Sequence, residues 1–335
     1  MASPSLETRL SRFLSFVDPP IARIAAALGS EKGTIRGICF HAVRRQGPPS
    51  NRLPAGIQTP LDDLKRFVEA LLAAGYVFIT PGDILKGLRP DAKYIMVTFD
   101  DGYFSTSYAV ETFKSYGLRL TLYVSPYFLC HNIGFPSDII YREVSSRHPG
   151  FAADIHLDSR KIRHTPQGER ERFIVANFGR SALTPVGDED RPMSIAELKD
   201  LYALGNVEVG NHTMTHAALT ALSEAESRKE LVDAQDVLHS ALGVRPISVA
   251  YPYGYYNEAV SRVAAGCGFR FGLTVEQKKH GIRDLGGEGF QHIGRFGVWN
   301  KVSLERQLMK VRTGTVPSDR LARRLAAWAR TVADR

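Results

Sequence analysis

Two adjacent carboxylates follow a largely apolar stretch in the first third of the chain. Asp100 and Asp101 come directly after residues 94–99 and before Gly102. Neighbouring carboxylates in a cleft repel each other unless a cation or a shared proton relieves the repulsion. An Asp-Asp-Gly tripeptide is by itself most simply a turn at the end of a strand. Its chemistry therefore depends on what else the fold brings to it.

A pair of histidines follows a second apolar stretch. His212 and His216 stand four residues apart, after residues 207–210. On a helical turn this spacing places both imidazoles on one face, where they can bind one cation. One aspartate and two histidines around a cation with an open position form a hydrolytic metal site, and a second carboxylate can then serve as general base. The two segments together therefore predict such a site.

The ligand types favour one divalent ion. An Asp-His-His set suits Zn²⁺ best, although Ni²⁺, Co²⁺ or Mn²⁺ also bind such ligands. A divalent cation lowers the pKa of the water that it binds, so that a carboxylate can deprotonate this water at neutral pH. The three cysteines, Cys39, Cys130 and Cys267, are far apart and lack a Cys-x-x-Cys spacing. Neither a thiolate metal site nor a disulfide framework is predicted.

Alternating strands and helices must position these residues. We predict strands at 35–43, 76–79, 94–99, 120–124, 207–210, 247–250 and 269–273, and helices at 60–74, 105–116, 195–204, 224–242 and 258–265. This alternation predicts an α/β fold of parallel βα units, and about seven units favour a closed or nearly closed barrel. Barrels keep their catalytic groups at the carboxyl ends of their strands, where both polar segments fall.

Four motifs resemble those of a known family. They are Ile38-Cys39-Phe40-His41, Thr98-Phe99-Asp100-Asp101-Gly102, His212-Thr213-Met214-Thr215-His216 and Val249-Ala250-Tyr251-Pro252-Tyr253-Gly254. Together they are similar to the motifs of the polysaccharide deacetylases, the NodB-homology domain of carbohydrate esterase family 4, in the branch whose third motif reads Ala-Tyr-Pro-Tyr-Gly. The resemblance spans about residues 35–300. It implies a distorted (β/α)₇ barrel and metal-dependent removal of acetyl groups from carbohydrates.

The resemblance also implies a role for several residues. Asp101, His212 and His216 would be the metal ligands, and Asp100 would take a proton from the attacking water. The backbone N–H of Tyr253 would stabilise the oxyanion that forms on the acetyl group. To substrate binding we assign Tyr103, Pro252 and Tyr253.

The chain departs from the family pattern at two places. Ala250 stands where many members have an arginine that orients the base, so we expect Arg295 to take this role, with an arginine on the barrel exterior as the alternative reading. No late Leu-x-His motif supplies the general acid that protonates the leaving amine. His41 is our candidate, because it follows the first strand, and His292 is the alternative.

The domain organisation follows from the same patterns. We expect a helical N-terminal extension at 1–34, the barrel at 35–300 with an insertion at 129–192 that shapes the substrate cleft, and a basic helical tail at 301–335. The net charge of +8 and pI of about 9.4 favour anionic surroundings such as a phosphate-bearing substrate or an acidic membrane face. Residues 320–330 read either as a helix packed on the barrel or as a peripheral membrane contact. No nucleic-acid partner is expected, because the basic excess lies at one terminus and carries no known reader motif.

Several functions are compatible with this reading. The leading one is a metal-dependent N-deacetylase acting on an acetamido sugar in a polysaccharide, oligosaccharide or glycolipid precursor. The alternatives are an O-acetyl esterase or small-amide hydrolase with the same metal site, and a catalytically silent glycan-binding domain. We expect a cytoplasmic protein, with contact at the inner face of the membrane through the tail, because neither a signal peptide nor a membrane-spanning segment is evident. The sequence leaves the oligomeric state open.

Overall fold

The structure is a computed structural model that describes residues 31–147, 162–298 and 303–314. The chain divides into two compact units, residues 33–301 and the terminal segments 1–32 and 302–335. The predicted N-terminal helices and the basic segment 320–330 lie outside the described residues. Within the described part of the chain, no helix is both long and apolar enough to cross a bilayer.

The larger unit is an α/β fold. Its strands are β1 (Thr34–Phe40), β2 (Ala42–Arg44), β3 (Gln58–Pro60), β4 (Tyr76–Ile79), β5 (Lys93–Phe99), β6 (Leu120–Val124), β7 (Val207–Asn211), β8 (Ser248–Ala250), β9 (Phe271–Leu273), β10 (Lys279–Gly281), β11 (Gln291–Ile293) and β12 (Arg295–Gly297). Its helices are α1 (Leu61–Ala73), α2 (Pro81–Leu85), α3 (Ser107–Ser115), α4 (Pro126–His131), α5 (Pro136–Arg147), α6 (Gln167–Phe178), α7 (Ile195–Ala203), α8 (Glu224–Leu242), α9 (Glu258–Gly266) and α10 (Ile282–Leu285). In the terminal unit the structure describes helix α11 (Leu304–Thr313), which Ser303 begins by accepting the N–H of Arg306.

The sheet confirms the expected distorted barrel. Parallel strands follow the order β1-β5-β6-β7-β8-β9-β11, and β12, which continues β11 beyond Gly294, pairs in parallel with β1. The bent strand β11–β12 therefore pairs with β9 through its first half and with β1 through its second half. Counted as one strand, it completes the seven parallel strands of a (β/α)₇ barrel. The distortion lies beside β1 and β5: β10 pairs antiparallel with the first half of β1, and β4 pairs with the first half of β5.

Two glycines make room where the bent strand meets β1. A Cβ at Gly294 would lie 2.3 Å from the carbonyl oxygen of Glu276, and a Cβ at Gly37 would lie 2.7 Å from Cγ of Arg295. Both distances are shorter than any real contact, so only glycine fits. The register places Gly37 opposite Arg295, and this close approach carries the Arg295 side chain into the barrel.

The core strands are apolar because both of their faces are covered, as parallel strands require. All five residues of β6 are buried, and the buried side chains of α1, Leu64, Phe67, Val68 and Leu71, recur at helical spacing. The single strand predicted over 35–43 is wrong in one respect: β1 ends at Phe40, and His41 separates it from β2. That break brings His41 to the carboxyl end of the sheet.

The described parts of the predicted insertion are largely helical. Helices α5 and α6 share an apolar cluster that includes Ile139, Ile140 and Ile174. This cluster is separate from the barrel core, which explains how a polar-rich stretch of sequence folds as a layer of its own.

Candidate active site

The end of β5 turns sharply at the acidic pair. The N–H of Asp100 donates to the carbonyl of Phe40 at 3.0 Å, and Asp101 adopts a left-handed backbone with a φ of 76°. Aspartate tolerates this region better than most side chains do. Gly102 follows with a φ of 96°, and a Cβ there would lie 3.0 Å from Cγ1 of Val124. The turn interrupts the alternation of the strand, so both carboxylates serve one site.

Arg295 clamps Asp100 from β12. Nη1 and Nη2 of the guanidinium donate to Oδ1 and Oδ2 of Asp100 at 2.6 and 2.8 Å. Nη1 also donates to Oγ1 of Thr98 at 2.8 Å, and Nε donates to the carbonyl of Thr274 at 3.2 Å. Arg295 is 1% exposed. The bidentate geometry fixes the orientation of the carboxylate as well as its charge.

A cysteine completes the surroundings of Asp100. The thiol of Cys39 donates to Oδ2 of Asp100 at 3.2 Å. Burial alone would raise the pKa of Asp100, but the charge of Arg295, helped by His212 and His41, outweighs burial and the pKa is lowered. Burial raises the pKa of the Cys39 thiol well above its ordinary value. At neutral pH this pair is a carboxylate beside a protonated thiol.

Asp101 lies between the two histidines. Its Oδ1 is 3.3 Å from Nε2 of His212 and 3.2 Å from Nε2 of His216. The segment between the histidines is not the helical turn that we predicted from their spacing. It is a loop in which Thr213 and His216 have φ values of 62° and 53°. These two left-handed residues fold the loop back so that the imidazoles still converge.

Each imidazole is oriented through its other nitrogen. Nδ1 of His212 lies 2.7 Å from the carbonyl of Ala250 and must donate a hydrogen bond to it, and Nδ1 of His216 lies 3.2 Å from Oη of Tyr253. Both Nε2 atoms are thereby left facing Asp101. This arrangement, with Nδ1 bonded to a supporting group and Nε2 turned inward, is typical of histidines that bind metals.

The electrostatics of Asp101 and His216 also suit a cation. Burial alone would raise the pKa of Asp101, but hydrogen bonds from His212 and His216 hold it well below its ordinary value. Burial lowers the pKa of His216 to about 4. Burial also acts to lower the pKa of His212, but its hydrogen bond to Asp101 prevails and raises it. An ionised carboxylate and a neutral imidazole are the protonation states that metal ligation requires.

The distances between the donor atoms are also compatible with a bound metal ion. The ligand atoms of Asp101, His212 and His216 all lie within 4.8 Å of one another. Tetrahedral ligands about 2.0–2.1 Å from a zinc ion are about 3.3–3.4 Å apart. The two measured contacts of Asp101 match this separation. One carboxylate and two imidazoles are also the ligand types that divalent transition metals take.

A second group of metal-binding types shares the site. Donor atoms of Cys39, His41 and Asp100 also lie within 4.8 Å of one another. Both oxygens of Asp100 are already bonded to Arg295, and a cation there would face the guanidinium charge. The group around Asp101 is therefore the better metal site, whereas Asp100 with Cys39 and His41 is better interpreted as a general base and its neighbours.

The two candidates for the general acid lie in different places. His41 is close enough to Asp100 and Asp101 to lower the pKa of both. His292 is bonded through Nε2 to Oγ of Ser261 at 3.1 Å and packs against Tyr256, with ring centroids 4.6 Å apart. Among the described residues, no contact joins His292 to the acidic pair or to His212 and His216.

The third motif forms a tight turn at the end of β8. Tyr253 adopts a φ of 60°, and the turn closes through the N–H of Gly254 on Tyr251 and of Tyr255 on Pro252. In the described part of the chain no backbone carbonyl accepts the N–H of Tyr253. The ring of Tyr253 packs edge-on against that of His216, with centroids 4.7 Å apart. The turn therefore presents a backbone donor close to the histidines.

Two residues assigned to substrate binding, Tyr103 and Pro252, are buried. Tyr103 is 1% exposed, and its Oη donates to Oδ2 of Asp138. Pro252 is buried where it starts the third-motif turn. Both side chains are buried, and their assignment to substrate binding stays a prediction.

Sequence reasoning overlooked several supporting groups. Cys39 stands two residues before His41 in the first motif, and this proximity could have indicated that Cys39 lies at the active site. The carbonyl of Ala250 and the hydroxyl of Thr98 had none, because only the barrel brings them to His212 and Arg295.

Comparisons with known proteins find similarities over part of the chain. Residues 172–272 match the profile of the family described as polysaccharide deacetylase. The peptidoglycan-N-acetylmuramic acid deacetylase PdaC of Bacillus subtilis (strain 168) is 45% identical over 51 residues, which are 15% of this chain and 11% of that protein. Both matches cover less than half of the chain, and they show that this part of it is similar to polysaccharide deacetylases.

Several solved structures share the fold. The Streptococcus pyogenes deacetylase PplD, in complex with acetate, superposes with a TM-score of 0.56 at 17% identity, covering 83% of this chain and 98% of that one. IcaB from Ammonifex degensii superposes with a TM-score of 0.55 at 16% identity, covering 84% of this chain and 97% of that one. At these identities the likeness concerns the fold alone, and the chemistry of this chain has to be argued from its own residues.

Proposed function

We propose that this protein is a hydrolytic N-deacetylase of an acetamido sugar, working with one divalent cation held by Asp101, His212 and His216. The observation that carries the proposal is the contact of one carboxylate oxygen with two imidazole nitrogens at 3.2–3.3 Å, beside a second carboxylate clamped by an arginine. A glycan-binding domain that has lost catalysis has no need for that second carboxylate. Zinc is the ion that we expect.

Asp100 is the proposed general base. Arg295 and Cys39 fix its two oxygens, so that it meets the attacking water in one orientation. Its lowered pKa keeps it ionised at neutral pH but also makes it a weak base. When bound, a divalent cation would lower the pKa of the water and polarise the acetyl carbonyl, which compensates for this weakness.

The remaining groups act on the acetyl carbonyl and the leaving amine. The N–H of Tyr253 stabilises the negative charge that develops on the carbonyl oxygen, and removing one such donor typically costs about 3–4 kcal/mol of barrier. His41, beside both carboxylates, protonates the departing sugar amine. Arg295 acts through Asp100 and does not touch the substrate.

The substrate class rests on the family and on the site together. PdaC, the relative with 45% identity over a short stretch, is described as acting on N-acetylmuramic acid in peptidoglycan. We propose an N-acetylated sugar of a polysaccharide, oligosaccharide or glycolipid precursor. We also propose that the insertion forms a wall of the substrate cleft, because Arg163 lies over the ring of Tyr253 at 4.6 Å and the ring of His164 stacks on that of Tyr255.

Acetate release tests the proposal. Purified protein should release acetate from N-acetylated saccharides, and the comparison with O-acetylated sugars measures the preference for amide over ester. Asp100→Asn should keep the metal and lose turnover. His41→Ala should lower kcat, whereas the matched change His292→Ala should leave kcat within about twofold. Equal losses at the two histidines would remove His41 from the mechanism.

A membrane contact of the basic tail is a separate proposal. The net charge of +8 and the concentration of arginines after residue 305 support attraction to an acidic lipid surface at the inner face of the membrane. Co-sedimentation with anionic vesicles should fall when residues 315–335 are deleted. Unchanged co-sedimentation would contradict the proposal.

A further inference from the structure

Helix α6 carries an arginine that is buried without a partner. Arg170 is 1% exposed, and Nε, Nη1 and Nη2 all lack a hydrogen-bond partner. A buried guanidinium normally pairs with a carboxylate or with several carbonyls, because an unpaired buried charge is among the most unfavourable groups in a folded protein. Burial accordingly lowers the pKa of Arg170. Such a residue is kept at this cost only if it has something to bind.

The carboxylates near Arg170 are already engaged elsewhere. Glu171 accepts hydrogen bonds from Tyr127 and Gln167 at 2.7 and 2.9 Å. Glu230 accepts two from the backbone and hydroxyl of Thr215, both at 2.8 Å. Both carboxylates are near enough to act on the charge of Arg170, but within the described ranges neither forms an ion pair with it. The charge of Arg170 is thus only partly offset.

A second guanidinium reaches the same place. Arg163 lies 4.6 Å from the ring centroid of Tyr253, is half-buried, and has no hydrogen-bond partner for its Nε. The charge of Arg170 also interacts with the hydroxyl of Tyr253. Both arginines therefore lie within electrostatic range of one tyrosine. That tyrosine contacts His216, so the two charges border the proposed catalytic centre.

We propose that Arg163 and Arg170 form an anion subsite beside Tyr253, which takes a carboxylate or phosphate group carried by the acetamido-sugar substrate. Arg163 is the arginine that solvent reaches, so the anion contacts it directly. Arg170 lies deeper and contributes an uncompensated positive charge behind it. The assignment of the anion to a sugar rests on the proposed function, whereas the binding of an anion does not.

A binding experiment tests the subsite without turnover. Inorganic phosphate is titrated calorimetrically into the wild-type protein and into Arg163→Met, Arg170→Met and Arg172→Met. Arg172 is on the same helix, 74% exposed, and provides the matched loss of one charge. Phosphate affinity should fall about tenfold or more in the first two variants and stay within about twofold in the third. Phosphate that binds all four proteins equally is held elsewhere, by a metal ion for example, and the subsite is then refuted.

A kinetic experiment identifies the anion. Oligosaccharides ending in N-acetylmuramic acid are compared with the same compounds whose lactyl carboxylate is a carboxamide, which removes the charge and keeps the size. A second pair, with and without a 6-phosphate on N-acetylglucosamine, tests phosphate. One charged member should show at least about tenfold higher kcat/KM than its neutral partner, and Arg163→Met and Arg170→Met should reduce this ratio towards one. An unchanged ratio in both variants would overturn the proposal.

The two experiments separate this inference from the proposed function. If no saccharide releases acetate, the deacetylase proposal fails while the phosphate titration still decides the subsite. Thermal denaturation provides a further readout, since removing an unpaired buried charge in Arg170→Met should raise the melting temperature. A lowered melting temperature would mean that Arg170 is a structural residue. The ratio of kcat/KM for charged and neutral substrates in Arg163→Met would then decide whether the anion subsite exists.

Discussion

Replacing Arg295 by methionine should affect both the stability of the fold and the ionisation of Asp100. The substitution keeps an unbranched apolar side chain in the space but removes two charged hydrogen bonds to Asp100, one to Thr98 and one to the carbonyl of Thr274. Since Asp100 is 4% exposed, the carboxylate left behind is buried and has lost its main counter-charge. Breaking a buried pair in this way typically costs about 3–5 kcal/mol of unfolding free energy. A matched loss of the exposed Arg262, which pairs with Glu224 at 3.5 Å, should cost less than about 1 kcal/mol.

The pH dependence of this effect has a definite sign. In the wild-type protein the pKa of Asp100 is lowered, so its ionised form stabilises the fold above about pH 4, and this contribution disappears as the pH falls through the lowered pKa. Without Arg295, burial dominates and the pKa of Asp100 rises above its ordinary value. The ionised form then destabilises the fold, so the loss in Arg295→Met should grow as the pH rises from about 4 to 8. Each pKa unit between folded and unfolded states corresponds to about 1.4 kcal/mol.

Urea unfolding at several pH values and the pH profile of acetate release measure these effects. The acid limb of kcat/KM should move to higher pH in Arg295→Met, because the proposed base is protonated over a wider range. The double variant Asp100→Asn/Arg295→Met should recover much of the lost stability and none of the activity. A destabilisation no larger than that of Arg262→Met, with an unmoved acid limb, would refute the reasoning.

Three further changes have definite expected outcomes. Gly294→Ala forces a Cβ to within 2.3 Å of a backbone oxygen, so urea unfolding should show a loss of several kcal/mol in unfolding free energy. The control Gly117→Ala, which has a positive φ but open space around it, should lose about 1 kcal/mol. Equal losses would contradict the close approach described for the bent strand. Cys39→Ala removes the thiol donor to the proposed base and should lower kcat/KM several-fold. Cys39→Ser keeps a donor and should retain most of the wild-type kcat/KM. Similar losses in both variants would count against a hydrogen-bonding role of Cys39. Tyr253→Phe removes the hydroxyl beside His216 and should weaken metal binding about 10–100-fold in competition with a chelator, and an unchanged affinity would show that this hydroxyl does not orient the histidine.

The barrel could be predicted from the sequence because its signal is local. Strands such as Leu120–Val124 are short apolar runs between turn residues, and Glu224–Leu242 starts at a serine cap and stops at Gly243, so most bounds were predicted within about two residues. The acidic pair and the two histidines follow such strands directly. Parallel strands place their carboxyl ends at one edge, which is why these residues could be assigned to one site.

Other features depend on contacts that the sequence does not encode locally. The loop between His212 and His216 has left-handed residues that are neither glycine nor asparagine, so spacing alone favoured a helical turn. Arg295 was singled out, but its bidentate contact with Asp100 arises from a strand that bends at Gly294. Arg170 sits on a helix with no strong amphipathic pattern, and nothing in the sequence distinguishes it from the exposed arginines nearby.

The central claim is that Asp101, His212 and His216 hold a divalent ion on which acetate release depends. The most direct test is metal analysis of the purified protein and of Asp101→Asn, together with acetate release from an N-acetylated oligosaccharide before chelation, after chelation and after re-addition of zinc. About one ion per wild-type chain, its absence in the variant, and activity that disappears and returns with the metal are the expected results. Acetate release that persists in protein free of bound metal would contradict the claim.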